Sequence, residues 1–363
     1  MFIKFFLSKK FQNKKILKKE NKKIIQIFKK VLGGKSHIIK SLSKNYSYSY
    51  KIKQLKKYKS FYNYRVIGMG GSILGTQAIY DFLRHKINKK FLFFNNLRNN
   101  QDEEKKKFIN LIVSKSGNTI ETIVNSNIII KKNDKNIFIT ENQENYLQTL
   151  AKKLKGEIIE HNNFIGGRFS VLSEVGMLPA ELMGLNASKF KQLNSLIKNK
   201  HFFNSLIKNV ASIFFLLKKK KFNSVILNYD EKSNNLFNWY QQLVAESLGK
   251  KKKGLLPVVS SMPKDNHSIM QLYLDGPENN FFTFFYVHDE KAKKIKNNQI
   301  LSSHAFLKNK KISDIIYAQK KATENVFNKK NIPFRSFEIM QRDEKALGEL
   351  FSFFILEIIL LGK

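Results

Sequence analysis

The stretch that most limits how this chain can fold is Val113-Ser114-Lys115-Ser116-Gly117-Asn118-Thr119-Ile120-Glu121-Thr122. Residues 108–113 are apolar enough for a buried strand, 114–119 are small and polar, and 120–130 are apolar-rich again. Strand, hydroxyl-bearing loop and helix start, in that order, make a phosphate-binding geometry. The loop offers hydroxyls and backbone N–H groups, and the helix N-terminus adds partial positive charge. Gly68-Met69-Gly70-Gly71-Ser72 repeats the arrangement about forty residues upstream, after a strand at 64–67. Two such loops point to a phosphorylated small molecule.

The surrounding pattern alternates. After the glycine loop comes a helix over 72–85. Strands at 91–94, 108–113, 136–140 and 156–160 alternate with helices at 120–131 and 145–155. Such alternation predicts a parallel sheet covered on both faces, with ligands at the carboxyl ends of its strands. A helix over 175–185 and a polar, Lys-rich helical stretch over 186–221 lead to a second α/β unit. Its strands are expected at 224–228, 255–260, 281–287 and 335–340, and its helices at 234–248, 302–329 and 343–361. Residues 1–60 read as a Lys-rich helical extension broken at Gly33-Gly34. The expected division is therefore 1–60, 61–186 and 187–363, within 363 residues that suffice for two cores.

The formal net charge is +38, which invites a nucleic-acid reading. Only six basic residues are Arg, at positions 65, 84, 98, 168, 335 and 342, and the other sixty are Lys. Nucleic-acid readers favour the bidentate guanidinium. Lys, Asn, Ile and Phe share AT-rich codons, so nucleotide bias accounts for the composition without a specific nucleic-acid partner. There is no Cys, which excludes disulfides, thiolate nucleophiles and Cys-based metal sites. The seven His show no metal-ligand spacing, and neither metal nor cofactor is expected. The most apolar run, 350–361, is too short to span a bilayer. Residues 1–30 carry eleven Lys against one Glu, without a small-residue cleavage site, so no membrane or signal segment is expected. A reducing compartment fits the absence of Cys, and a cytoplasmic location is expected.

Each chemical candidate has a plainer alternative. The glycine loop lacks the third Gly of the dinucleotide fingerprint, since position 73 is Ile, and Ser72 could simply cap a helix. Asn118 with Glu121 could form a capping box, but that leaves Ser114, Ser116 and Thr119 without a need to be hydroxyls. Gln242 and Glu246 share a helix face beside Trp239, Leu243 and Ala245. Partly apolar neighbours would raise the pKa of Glu246 and suit it to act as a base, although a lone Glu is ordinarily a surface residue. His267 near a turn reads as structural when taken alone. Arg168, following Gly166-Gly167 in a chain that prefers Lys, suggests a use for the planar fork close to a ligand.

Taken together, these segments resemble the glucose-6-phosphate isomerase family of the sugar-isomerase fold. The matching pieces are VIGMGGSILG (66–75), SKSGNTIET (114–122), GGRFSVLSEVGMLPAELMGL (166–185), WYQQLVAESLGK (239–250) and DNHSIMQLYLDGP (265–277), in the family's order. The resemblance implies an α/β fold of two SIS-type, flavodoxin-like αβα domains with central parallel sheets, beside the helical extension. It implies a dimeric aldose–ketose isomerase that interconverts glucose 6-phosphate and fructose 6-phosphate. Glu246 matches the base that shuttles a proton between C2 and C1, and Arg168 the residue that stabilises the enediolate. His267 matches the residue that assists ring opening across the dimer interface. Gly71, Ser72, Ser114, Lys115, Ser116 and Thr119 match phosphate and sugar contacts, and Gln242 a substrate-contacting Gln. A related sugar phosphate such as mannose 6-phosphate, or a non-catalytic sugar-phosphate-binding module, are the alternatives.

One departure stands out. The family continues past the last helix into a segment resembling FDQPGVE and a helix with an active-site Lys, whereas this sequence stops at Leu361-Gly362-Lys363. The second domain is therefore expected to be C-terminally incomplete, and ring opening is the step this would affect most.

Overall fold

The computed structural model describes residues 3–11, 14–97, 107–131 and 133–363. It opens on a strand, β1 (Ile3–Leu7), followed by the helices α1 (Lys14–Gly33), α2 (His37–Ser41) and α3 (Ile52–Lys59). The first βα series is β2 (Asn63–Gly68), α4 (Leu74–Phe82), β3 (Lys90–Phe94), β4 (Ile109–Val113), α5 (Ile120–Ile129), β5 (Lys135–Thr140), α6 (Tyr146–Lys153) and β6 (Glu157–Glu160). Its strands form a parallel sheet in the order β3-β2-β4-β5-β6. Strand β4 is Ile-Asn-Leu-Ile-Val with every residue buried, as expected of a strand covered on both faces.

Helices α7 (Glu174–Leu182), α8 (Leu193–Leu196) and α9 (Lys200–Lys218) lead to the second series. This comprises β7 (Asn223–Asn228), α10 (Asn234–Leu248), β8 (Leu256–Ser261), α11 (Met270–Asp275), β9 (Asn280–Val287), α12 (Ile312–Lys329), β10 (Phe334–Ile339) and α13 (Glu344–Leu361). The second sheet has the order β1-β10-β9-β7-β8 and is parallel except for β1. Sixteen residues of α13 are buried, and it packs against α9 and α10 in a core shared by both sheets. At its centre, Arg335 and Glu357 form a fully buried ion pair. Asn209 donates to Glu357, Tyr240 donates to it at 2.8 Å, and Thr283 accepts from Arg335 Nε at 2.9 Å. An ion pair removed from water persists only when its remaining donors and acceptors are met in this way.

Three expectations need correction. The N-terminal extension is not wholly helical, because β1 runs antiparallel to β10 and joins the second sheet. Lys4 lies opposite Glu338, and the strand covers an edge that would otherwise be open. The Lys-rich stretch at 186–221 is not a polar connector. In α9, Phe202, Leu206, Val210 and Ile213 are buried at helical spacing, and the lysines occupy the other faces. The long helix at 302–329 is broken: a 3-10 turn at Ser302–Leu307 ends before α12 begins at Ile312. Among the described residues, no helix is long and apolar enough to cross a membrane.

Candidate active site

The parallel sheet brings the two polar loops side by side. Gly68 at the end of β2 pairs in register with Val113 at the end of β4, so both loops leave neighbouring carboxyl ends. In the upstream loop, Gly70–Ser72 form a 3-10 turn with Gly70 at φ +51°. Ser72 does not cap α4: its cap position is Ile73, without a side-chain hydrogen bond. In the downstream loop, Asn118 does not cap α5. Thr119 occupies the cap position, again without a side-chain cap bond, and Asn118 Oδ1 accepts from Tyr146 N at 3.0 Å. Ser114 and Thr119 hydroxyls lie 2.9 Å apart, Ser114 Oγ accepts from Gly117 N at 3.2 Å, and Ser116 Oγ accepts from Asn118 N at 3.3 Å. Lys115 pairs with Glu141 at 3.3 Å and donates to Asn163 O at 2.9 Å.

A third segment closes on these loops. Gly167–Leu172 form a 3-10 turn that lies directly on the Gly70–Ser72 turn. A Cβ at Gly71 would come within 2.1 Å of the Gly167 carbonyl carbon, so glycine is required for this approach. Ser170 Oγ links the two, 2.7 Å from Gly167 O and 3.3 Å from Gly71 O. Helix α10 packs against both turns. Its Gln242 reaches the glycine loop, where a Cβ at Gly70 would meet Gln242 Nε2 at 2.8 Å.

Arg168 and Glu246 meet in this arrangement. Arg168 Nη1 donates to Glu246 Oε1 at 2.7 Å, and Arg168 Nε donates to Ser247 Oγ at 2.7 Å. Gln242 Nε2 donates to Glu246 Oε2 at 3.1 Å, across one helical turn. Gln242 Oε1 is buried without a hydrogen-bond partner. The surroundings of Glu246 correct the expectation of an apolar setting. Trp239 and Leu243 are buried, but Glu246 lies where that helix face leaves the core, with its side chain 52% exposed. A guanidinium and an amide face it, and the rest of the carboxylate is exposed. The arrangement can hold an anion near the loops and offers a carboxylate beside a fixed cation, which suits proton abstraction next to a carbonyl.

Of the residues singled out in the sequence, the fold brings Gly71, Ser72, Arg168, Gln242 and Glu246 together and carries Ser114, Lys115, Ser116 and Thr119 on the adjoining loop. His267 stands apart. It is exposed at the end of the 3-10 turn Lys264–Asn266 and shares no described contact with Glu246 or Arg168. Ser247 was missed, although it follows Glu246 directly. Its signal is a hydroxyl one residue from a carboxylate, too common a pairing to single out.

The sequence pattern of the Phosphoglucose isomerase family matches residues 10–262. A Glucose-6-phosphate isomerase of Methanocaldococcus jannaschii is 33% identical, covering 85% of this chain and 81% of its own. A Glucose-6-phosphate isomerase of Mycoplasmopsis pulmonis is 31% identical over 80% of this chain and 74% of its own. Among solved structures, a hypothetical protein from Thermus thermophilus superposes with a TM-score of 0.80 at 20% identity, covering 99% of this chain and 94% of its own. A glucose-6-phosphate isomerase from Chlamydia trachomatis gives 0.74 at 16% identity, over 99% and 84%. The family match over residues 10–262 and the 33% identity to the Methanocaldococcus jannaschii enzyme make the chain a member of the phosphoglucose isomerase family.

Proposed function

We propose that this chain interconverts glucose 6-phosphate and fructose 6-phosphate, with Glu246 as the base. The Arg168–Glu246 pair, held between the glycine turn and α10, is the observation that carries the reading. The phosphate is gripped by Ser114, Ser116 and Thr119, with Lys115, Ser72 and the Gly71 backbone beside them. Anchoring it there orients the reacting carbons, so binding far from C1 and C2 lowers the barrier at them. Glu246 takes the proton from C2 of the open-chain aldose, and the electrons of that C–H bond become the enediolate. Arg168 stabilises the developing oxyanion. The protonated Glu246 then returns its proton to C1 while the C2 hydroxyl proton passes to O1, so that the C2 carbonyl forms and the ketose is left. Gln242 orients the Glu246 carboxylate. His267, exposed and away from this pair, assists ring opening from a second subunit of a homodimer. The division into two SIS-type domains, at 61–186 and 187–363, and a cytoplasmic location complete the proposal. Nothing favours mannose 6-phosphate or a non-catalytic binding role.

The test is coupled detection of fructose 6-phosphate formed from glucose 6-phosphate. Glu246→Gln is expected to lower turnover by on the order of a thousandfold or more while sugar-phosphate binding stays within about threefold. Unchanged turnover would remove Glu246 from the chemistry.

A further inference from the structure

We propose that Lys191 is a positioning residue: its side-chain nitrogen ties the far end of the Arg168-bearing turn to the N-terminal helices and so sets where the Arg168 fork points. The inference rests on the roles given above to Arg168 and Glu246.

Lys191 follows the 3-10 turn Ala187–Phe190 and is 3% exposed. Its Nζ donates to Ser41 O at 2.5 Å and to Leu172 O. Ser41 closes α2, and Leu172 closes the turn that begins at Gly167. The rings of Tyr46 and Tyr48 flank the nitrogen, each centroid 4.8 Å away. Glu174, in the first turn of α7, is the acid that faces it.

Glu174 secures the other end of the same loop. Its carboxylate accepts from Tyr46 Oη at 2.8 Å and from Asn162 N at 2.9 Å, four residues before Gly166. The Arg168 segment is therefore held before its glycines by Glu174, after them by Lys191, and in the middle by Ser170 against Gly71. An apolar side chain would fill the Lys191 site without the cost of burying an amine, so the two carbonyls give the lysine its purpose. Burial pushes the Lys191 pKa down to about 7, against the pull of Glu174. A neutral amine still has two N–H groups for two carbonyls, so either protonation state can hold both.

Steady-state kinetics of Lys191→Met and Lys191→Gln, with Glu246→Gln in the same assay, test this. Lys191→Met is expected to lower kcat about 10- to 100-fold with KM within about threefold, because only the group serving the transition state is displaced. Lys191→Gln keeps two N–H donors on a shorter stem and is expected to recover part of that loss. If the Met variant does not fold, the Gln variant carries the test, with a drop of about 3- to 10-fold in kcat at unchanged KM. Wild-type kcat in a folded Met variant, or in the Gln variant where Met fails to fold, overturns the inference, as does a loss confined to KM. Full activity of Glu246→Gln would instead overturn the reading of the site on which it rests.

Discussion

Gly71→Ala separates a requirement for close backbone approach from a requirement for flexibility. A Cβ at position 71 would lie 2.1 Å from Gly167 C, 2.3 Å from Gly167 O and 2.5 Å from Arg168 N. All three are backbone atoms, so no side chain can swing away. Restoring an ordinary contact of 3.4 Å requires the two turns to part by about 1.3 Å. That movement takes the Arg168 backbone with it, while Glu246 stays on α10. A misplacement of about 1 Å costs on the order of a hundredfold in rate, and that is the fall expected in kcat/KM for glucose 6-phosphate. Gly70→Ala is the control. Its Cβ meets Gln242 Nε2 at 2.8 Å, the movable end of a side chain, and the strain of φ +51° costs about 1–2 kcal/mol of stability. A loss of less than about tenfold is expected there. Coupled assays beside thermal melts measure both. A folded Gly71→Ala enzyme within threefold of wild type would refute the argument, since it would mean the turns can part without consequence.

The buried core pair makes a separate prediction. Arg335→Met leaves Glu357 without its cation at full burial and should cost about 3–5 kcal/mol by denaturant unfolding, whereas replacing both residues by apolar ones should cost far less. The pH dependence follows from Lys191. Its pKa of about 7 in the fold lies below the ordinary 10.5, so between these values the unfolded chain binds the extra proton. Stability therefore rises with pH across that window, by about 4 kcal/mol from this group, and is lost as pH falls towards 7. Above pH 10 the trend reverses, because burial holds the Tyr48, Tyr50 and Tyr240 phenols protonated while the unfolded chain gives up those protons. Unfolding curves of wild type and Lys191→Met, measured from pH 7 to 10, should diverge by that slope, and parallel curves would refute it.

What could be read from the sequence follows the range of the interactions. The central strands were legible to within a residue, because burial on both faces leaves an unbroken apolar run such as Ile-Asn-Leu-Ile-Val in β4. The sequence pattern sets α10 at 234–248, the span it has in the structure. Strand β1 was not legible. Its pairing sets Lys4 against Glu338, and no local pattern reports a partner so far along the chain. The site divides in the same way. Glycines and hydroxyls in a loop carry a local signal, so Gly71 and Ser114 could be found. The setting of Glu246 could not, since Trp239 and Leu243 suggest an apolar environment until the packing shows that the helix emerges from the core at that point. An Arg in a Lys-rich chain is a signal with more than one meaning. Arg335 and Arg342 use the same planar fork to hold buried or half-buried carboxylates in the structural framework.

Arg168 Nη1 is already engaged by Glu246, so this contact has to give way before the guanidinium can meet the developing oxyanion in the reaction proposed here. The hydrogen-bond pattern indicates how it does so. Arg168 is anchored twice on α10, through Nε to Ser247 and through Nη1 to Glu246. Only the second bond competes with a developing oxyanion. When substrate oxygen takes Nη1, the Ser247 bond still holds the guanidinium in place, and Gln242 still holds the freed carboxylate. The cation thus passes from the base to the enediolate without moving, as stabilisation fixed in advance requires. Because Gln242, Glu246 and Ser247 share one helix, base and anchor keep their spacing through the exchange. Ser247→Ala should therefore lower kcat more than it raises KM. An effect on KM alone would mean that Arg168 is positioned by its own turn and takes nothing from the helix.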